Sequence, residues 1–149
     1  MKSKEIEILI KRRLEQAQEA LDDAKYLLDG NRSPQSIVNR SYYAMFYAAL
    51  ALLQKISKAP SKHSGVISLF DKEFVMRGFF EKEISKDFHK AFELRQSIDY
   101  RIIKPISAEQ AEQIWQKATN FVQAVKNHFS RELNNSKYPI ASKGKGADL

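Results

Sequence analysis

Residues 33–57, SPQSIVNRSYYAMFYAALALLQKIS, constrain this chain more than any other stretch. Ser33 is a good helix N-cap, and Pro34 suits the first helical position, where no N–H donor is needed. From Tyr42 to Leu53 every residue is apolar or aromatic. A helix that is apolar all round must be covered all round. Such a run is too short to span a bilayer, which takes about 20 residues. The stretch therefore predicts the central helix of a soluble helical domain, with the other helices as its coat. Polarity enters it mainly through Asn39, Arg40 and Ser41.

The flanking sequence supplies that coat. Ile10, Leu14, Ala17, Leu21, Ala24 and Leu28 recur in steps of four and three, which predicts a first helix from about Lys4 to Asp29. Gly30-Asn31 ends it with residues that tolerate a left-handed backbone. The short turn that follows makes helices one and two antiparallel neighbours. Pro60 marks residues 58–62 as a loop. A shorter helix is expected from Ser64 to Met76, broken at Arg77-Gly78. A fourth is expected from Phe80 to Ile98 on the stripe Ile84, Phe88, Ala91, Arg95, Ile98. Ser107 and Gln110 form a capping box for a fifth, which carries Ala111, Ile114, Ala118, Phe121, Val125 and Phe129. The expected architecture is all-α: an up-and-down antiparallel bundle of four long helices plus one shorter helix. The domain spans residues 1–130, and residues 131–149 form a flexible polar tail. The aromatic surface of helix two is wider than one small bundle covers, which suggests a symmetric dimer.

Composition narrows the chemistry. There is no cysteine, so disulfides and thiolate metal sites are excluded. His63, His89 and His128 show no metal-ligand spacing, and no cofactor is expected. The N-terminus has glutamates inside its apolar stretch and does not read as a signal peptide, so a cytoplasmic location without membrane contact is expected. The 25 Lys and Arg exceed the 18 Asp and Glu by seven, a balance open to nucleic acid or another acidic partner. No Walker loop, Rossmann fingerprint, Gly-x-Ser-x-Gly elbow or His-Glu-x-x-His motif occurs.

Two clusters can carry function. Arg95 falls on an apolar stripe, where a charge needs a partner, an interface or water. Asp99, four residues on, could close it in an ordinary helical ion pair. The alternative is a site built from Arg95, Asp99, Tyr100 and Arg101. The second cluster is Asn39-Arg40-Ser41-Tyr42-Tyr43 with Tyr47. Its hydroxyls can make structural hydrogen bonds, or it can line a pocket for a base or phosphate. His63 stands at a helix start, where it can make a local contact or meet an anion. His89 and His128 fall on helix surfaces by phase.

The segments N-R-S-Y-Y-A-M-F-Y-A-A at 39–49, K-H-S-G-V-I-x-x-F at 62–70 and L-R-x-x-x-D-Y at 94–100 resemble the HEPN superfamily, and more closely its small stand-alone bacterial and archaeal members. The resemblance covers about residues 5–129. It implies a helical bundle that dimerises with two clefts merging at the interface. It also implies metal-independent ribonuclease activity in many members, often as the toxin of a pair whose antitoxin is a minimal nucleotidyltransferase. The family signature is an arginine followed, after four to six residues, by a histidine. Arg95 matches the arginine, but Tyr100 stands where the histidine is expected. An imidazole titrates near neutrality and an unperturbed tyrosine near 10, so Tyr100 would be a poor base.

Two functions follow. The first is a dimer that binds RNA or nucleotide at a basic cleft, with Arg95, Asp99 and Tyr100 in catalytic roles and Asn39, Arg40, Tyr43, Tyr47, His63 and Arg101 in binding. In that case it can act as a metal-independent endoribonuclease toxin. The alternative is a non-catalytic interaction module that partners a minimal nucleotidyltransferase.

Overall fold

The computed structural model describes residues 3–100 and 104–137. Five α-helices account for most of them: α1 (Ser3–Asp29), α2 (Pro34–Lys55), α3 (His63–Phe70), α4 (Lys82–Gln96) and α5 (Ala108–Lys137). A π-helical turn, Asp71–Val75, continues α3, and a 3-10 turn, Ile98–Tyr100, follows α4. There is no strand among the described residues.

The apolar helix is central, as its sequence demands. α2 packs against α1, α3, α4 and α5. Tyr42, Met45, Leu52 and Leu53 are fully buried on it. Each such side chain contributes roughly 1.5–3 kcal/mol of transfer free energy. α1 and α2 both carry small residues without solvent exposure: Ala17, Ala20 and Ala24 on one, Ser41, Ala44 and Ala48 on the other. Phe70, Phe88 and Phe121 join α3, α4 and α5 behind α2 through ring contacts of 4.9–5.7 Å.

The coat is incomplete along one stripe. Tyr43, Phe46, Tyr47 and Leu50 are only half-buried. Their spacing places them on a single face of α2.

Helix ends follow local chemistry. Ser33 Oγ accepts the Ser36 N–H. Asn31, with φ 52°, takes the left-handed position after α1, and Arg32 N–H donates back to the Leu27 carbonyl at 2.9 Å. Ser107 and Gln110 make both bonds of the capping box, at 3.0 and 3.1 Å.

Three boundaries differ from the sequence reading. The single helix expected over residues 64–76 changes at Asp71 to a π turn, in which Met76 N–H reaches the Asp71 carbonyl at 2.8 Å. The wider turn lets Phe70 and Phe74 both be buried. Asp71 is also tied sideways, accepting from Ser85 Oγ and bonding His89 Nε2, each at 2.6 Å. The fourth helix stops at Gln96 rather than Ile98. The fifth continues to Lys137, past the expected boundary at 130, with Leu133 exposed on its last turns.

Candidate nucleic-acid interface

The phase of α4 decides where Arg95 lies. Phe88 and Ala91 are buried on the face toward α2, and Arg95 extends that face by one more turn. There the guanidinium meets neutral groups of α2. Its Nε donates to Asn39 Oδ1 at 3.4 Å and one terminal nitrogen donates to the Tyr43 hydroxyl at 3.2 Å. The guanidinium carbon lies 5.9 Å from the Tyr42 ring centre and 5.4 Å from that of Tyr43. The cation therefore rests on two aromatic rings and two neutral oxygens. It forms no ion pair among the described residues.

The ion pair with Asp99 does not form because the helix ends between the two residues. Ser97 caps α4: its N–H donates to the Glu93 carbonyl at 3.0 Å and its hydroxyl to the Leu94 carbonyl at 2.8 Å. The chain then turns through Ile98–Tyr100, and the four-residue helical register is lost. Asp99 and Tyr100 are exposed, Tyr100 to 87%.

These residues surround an open groove of about 1080 Å³. Asn39, Arg40, Glu93, Arg95, Asp99 and Tyr100 line it, facing Leu27, Gln35 and Ser36 at the α1–α2 turn. Arg40 reaches it from α2, its guanidinium carbon 5.8 Å from the Tyr43 ring. Arg40 Nε is buried without a hydrogen-bond partner. An unpaired buried donor is costly.

Tyr43, Tyr47 and His63 do not line this groove; with Phe46 they form an aromatic cluster that begins at the Tyr43 ring beside Arg95. His63 opens α3, and its Nδ1 lies 2.8 Å from the Tyr42 hydroxyl. Its ring stacks on Phe46 at 4.2 Å and meets Tyr43 edge-on at 5.7 Å. Tyr47 sits 5.9 Å from Tyr43. Burial, aided by the Arg95 charge, pushes the His63 pKa below its ordinary value. Burial and the neighbouring Tyr43 push the Tyr42 hydroxyl far above the usual tyrosine range, with Arg95 opposing. The structure thus brings His63 beside the arginine across a gap in sequence that no local pattern spans. Arg101 lies outside the described residues.

Tyr42 is the residue whose role the sequence understated. It carries the link to His63 while belonging by phase to the apolar core. His128 is a correction of another kind. It is 5% exposed, not on the surface, and is caged by Phe74, Phe79 and Phe80. Its position continues the series Ala118, Phe121, Val125 in three- and four-residue steps, which was the available signal.

Among the described residues, no cluster of three or more His, Asp or Glu could hold a metal ion. No helix among them is long and apolar enough to cross a membrane.

A Thermotoga maritima protein named "UPF0332 protein" is 42% identical over 109 residues, covering 73% of this chain and 82% of that one. A Methanocaldococcus jannaschii protein named "Putative toxin MJ0605" is 38% identical, covering 83% of this chain and 91% of that one. A second from the same organism, "Putative toxin MJ0142", is 33% identical, with 86% and 89% covered. The family model described as the HEPN domain matches residues 10–128, a span that takes in most of α1, all of α2 to α4 and the apolar length of α5. The chain that builds the Arg95 groove belongs to the HEPN family.

Proposed function

We propose that the Arg95 groove binds the phosphate backbone of RNA and that the chain is a toxin-type HEPN ribonuclease of the cytoplasm. One observation carries the reading: Arg95 is held at an open groove by neutral oxygens and ring faces, and among the described residues no carboxylate pairs with it, although Glu93 and Asp99 line the same groove. A guanidinium has five N–H donors, and Asn39 and Tyr43 occupy two. The others remain for phosphate oxygens, in the planar geometry that suits them. Arg40 adds a second cation to the same groove.

The proposed reaction is attack of the RNA 2′-oxygen on the adjacent phosphorus. The new O–P bond forms, the P–O5′ bond breaks, and a 2′,3′-cyclic phosphate results. Charge builds on the non-bridging oxygens, where a preorganised cation contributes most. Arg95 supplies that stabilisation. Asp99 is the groove carboxylate we assign to receive the 2′-hydroxyl proton, while solvent protonates the departing O5′. Tyr100 positions the strand. A symmetric dimer would cover the half-buried stripe Tyr43–Phe46–Tyr47–Leu50 and join two grooves. The toxin names of the two M. jannaschii relatives support an antitoxin partner, for which a minimal nucleotidyltransferase is our proposal.

The test is RNA binding and cleavage by the purified protein in EDTA, wild type beside a folded Arg95→Ala. Cleavage that vanishes in the variant, with affinity that falls steeply with salt, supports the reading. Binding without cleavage reduces it to an RNA-binding protein. A wild type that neither binds nor cleaves rejects it in favour of an interaction module.

A further inference from the structure

The Tyr42–His63 pair determines which edge of an imidazole faces solvent beside the groove. Tyr42 is fully buried, and among the described residues its hydroxyl has one hydrogen-bond partner, His63 Nδ1 at 2.8 Å. Two proton arrangements share this distance. In the first, Nδ1–H donates to the tyrosine oxygen, and the buried hydroxyl proton is left without an acceptor. In the second, the hydroxyl donates to a bare Nδ1, and the ring proton sits on Nε2. Buried donors in folded proteins find acceptors, which selects the second.

The surroundings reinforce the choice. Burial keeps Tyr42 protonated, so it has a proton to give. Burial and Arg95 keep His63 neutral near pH 7, so the ring carries one proton. Stacking on Phe46 and the edge contact with Tyr43 fix the plane of the ring. Nε2 makes no protein hydrogen bond among the described residues, and it is not one of the buried unpaired atoms, so it opens to solvent. Arg95 and His63 share the Tyr42 and Tyr43 rings.

We infer that His63 is a fixed, neutral N–H donor: Tyr42 sets its tautomer, and Nε2–H donates to a phosphate oxygen of the RNA strand that Arg95 holds. Tyr42 is then a positioning residue acting through His63. Because the imidazole lone pair faces Tyr42, His63 is not the base that takes the 2′-hydroxyl proton. The RNA contact rests on the function proposed above; the tautomer does not.

Long-range proton–nitrogen NMR on protein with labelled histidine reads the tautomer directly. The expected wild-type pattern is a pyridine-type Nδ1 and a pyrrole-type Nε2, redistributed between the two nitrogens in Tyr42→Phe. A pyrrole-type Nδ1 in wild type overturns the inference, even if Tyr42→Phe does not fold. RNA titration tests the donor. His63→Gln keeps an N–H near the Nε2 position and should retain affinity within about twofold, whereas His63→Leu should lose about tenfold. Equal affinities for Gln and Leu overturn the donor role. A wild type that binds no RNA overturns both the donor role and the groove reading. The NMR result then still decides whether the Tyr42 half was right, so the two failures are distinguishable.

Discussion

Two of the charged residues on helix α4, Asp87 and Arg95, lie eight positions apart, and the bundle treats them in opposite ways. Asp87 is buried near the start of the helix, and Lys117 of α5 donates to it at 3.1 Å. Arg95, about 12 Å further along, is offered among the described residues only an amide oxygen, a hydroxyl and two rings. A buried carboxylate closed by an ammonium is a structural element and has little left to give a ligand. A cation held by neutral groups keeps its charge available. The difference arises from the neighbours: α5 faces Asp87 with a lysine, whereas α2 faces Arg95 with Asn39 and Tyr43.

The strongest way to break this contrast is at Arg95. Replacing it with alanine should weaken RNA binding by about 10- to 100-fold, the loss of one charge-assisted contact. Thermal stability should change by about 1 kcal/mol or less, since only neutral hydrogen bonds and ring contacts are lost. A large fall in melting temperature with unchanged RNA affinity would show Arg95 to be structural. The mirror experiment is Lys117→Met. It strands the Asp87 carboxylate and should cost about 2 kcal/mol, measured by denaturant unfolding, while leaving RNA affinity intact. The double variant Asp87→Leu with Lys117→Met should recover most of that cost.

The contrast extends to the histidines. His63 has a polar partner and an edge open to solvent; His128 has a cage of phenylalanines. Burial, with Lys55 and Arg131 adding to it, pushes the His128 pKa down to about 4. The folded protein therefore keeps this ring neutral at pH values where the unfolded chain protonates it. The stabilisation is complete above about pH 6.5 and is lost as the pH falls from 6.5 toward 4. At about 1.36 kcal/mol per unit the loss is roughly 3 kcal/mol. Unfolding curves between pH 7 and pH 4 should show this decline, and His128→Leu should flatten it. A variant that declines as steeply as wild type would move the acid sensitivity elsewhere.

The smallest effect sharpens the Arg95 end. Tyr43→Phe removes one of its two acceptors while keeping the ring beneath it. RNA affinity should fall by about two- to fivefold, the value of one neutral hydrogen bond in orienting the cation. A loss as large as that of Arg95→Ala would mean that the Tyr43 hydroxyl itself contacts RNA.

Much of the fold was legible because its determinants are local or periodic. The α1 stripe, the capping box at Ser107 and the proline-led start of α2 are each written within a few residues, and each forms as written. The π turn at Asp71 was not legible. It depends on Ser85 and His89, fourteen and eighteen residues away, and on the burial of Phe70 and Phe74 together. The early stop of α4 rests on the Ser97 cap, which the apolar phase running on to Ile98 masked.

The candidate site divides along the same line. The sequence by itself determined that α2 would be central, that Arg95 would fall on an apolar stripe and that Tyr42, Tyr43 and Tyr47 would cluster on α2. Periodicity carries that information, because each residue's face follows from its number along a helix. Only the tertiary structure decided that Arg95 would meet Asn39 and Tyr43 rather than Asp99, and that Tyr42 would hold His63. Those outcomes depend on how α2, α3 and α4 pack and on where one helix ends. A break of a single turn separates Arg95 from Asp99, and contacts between helices, invisible in any local window, supply the partners that replace it.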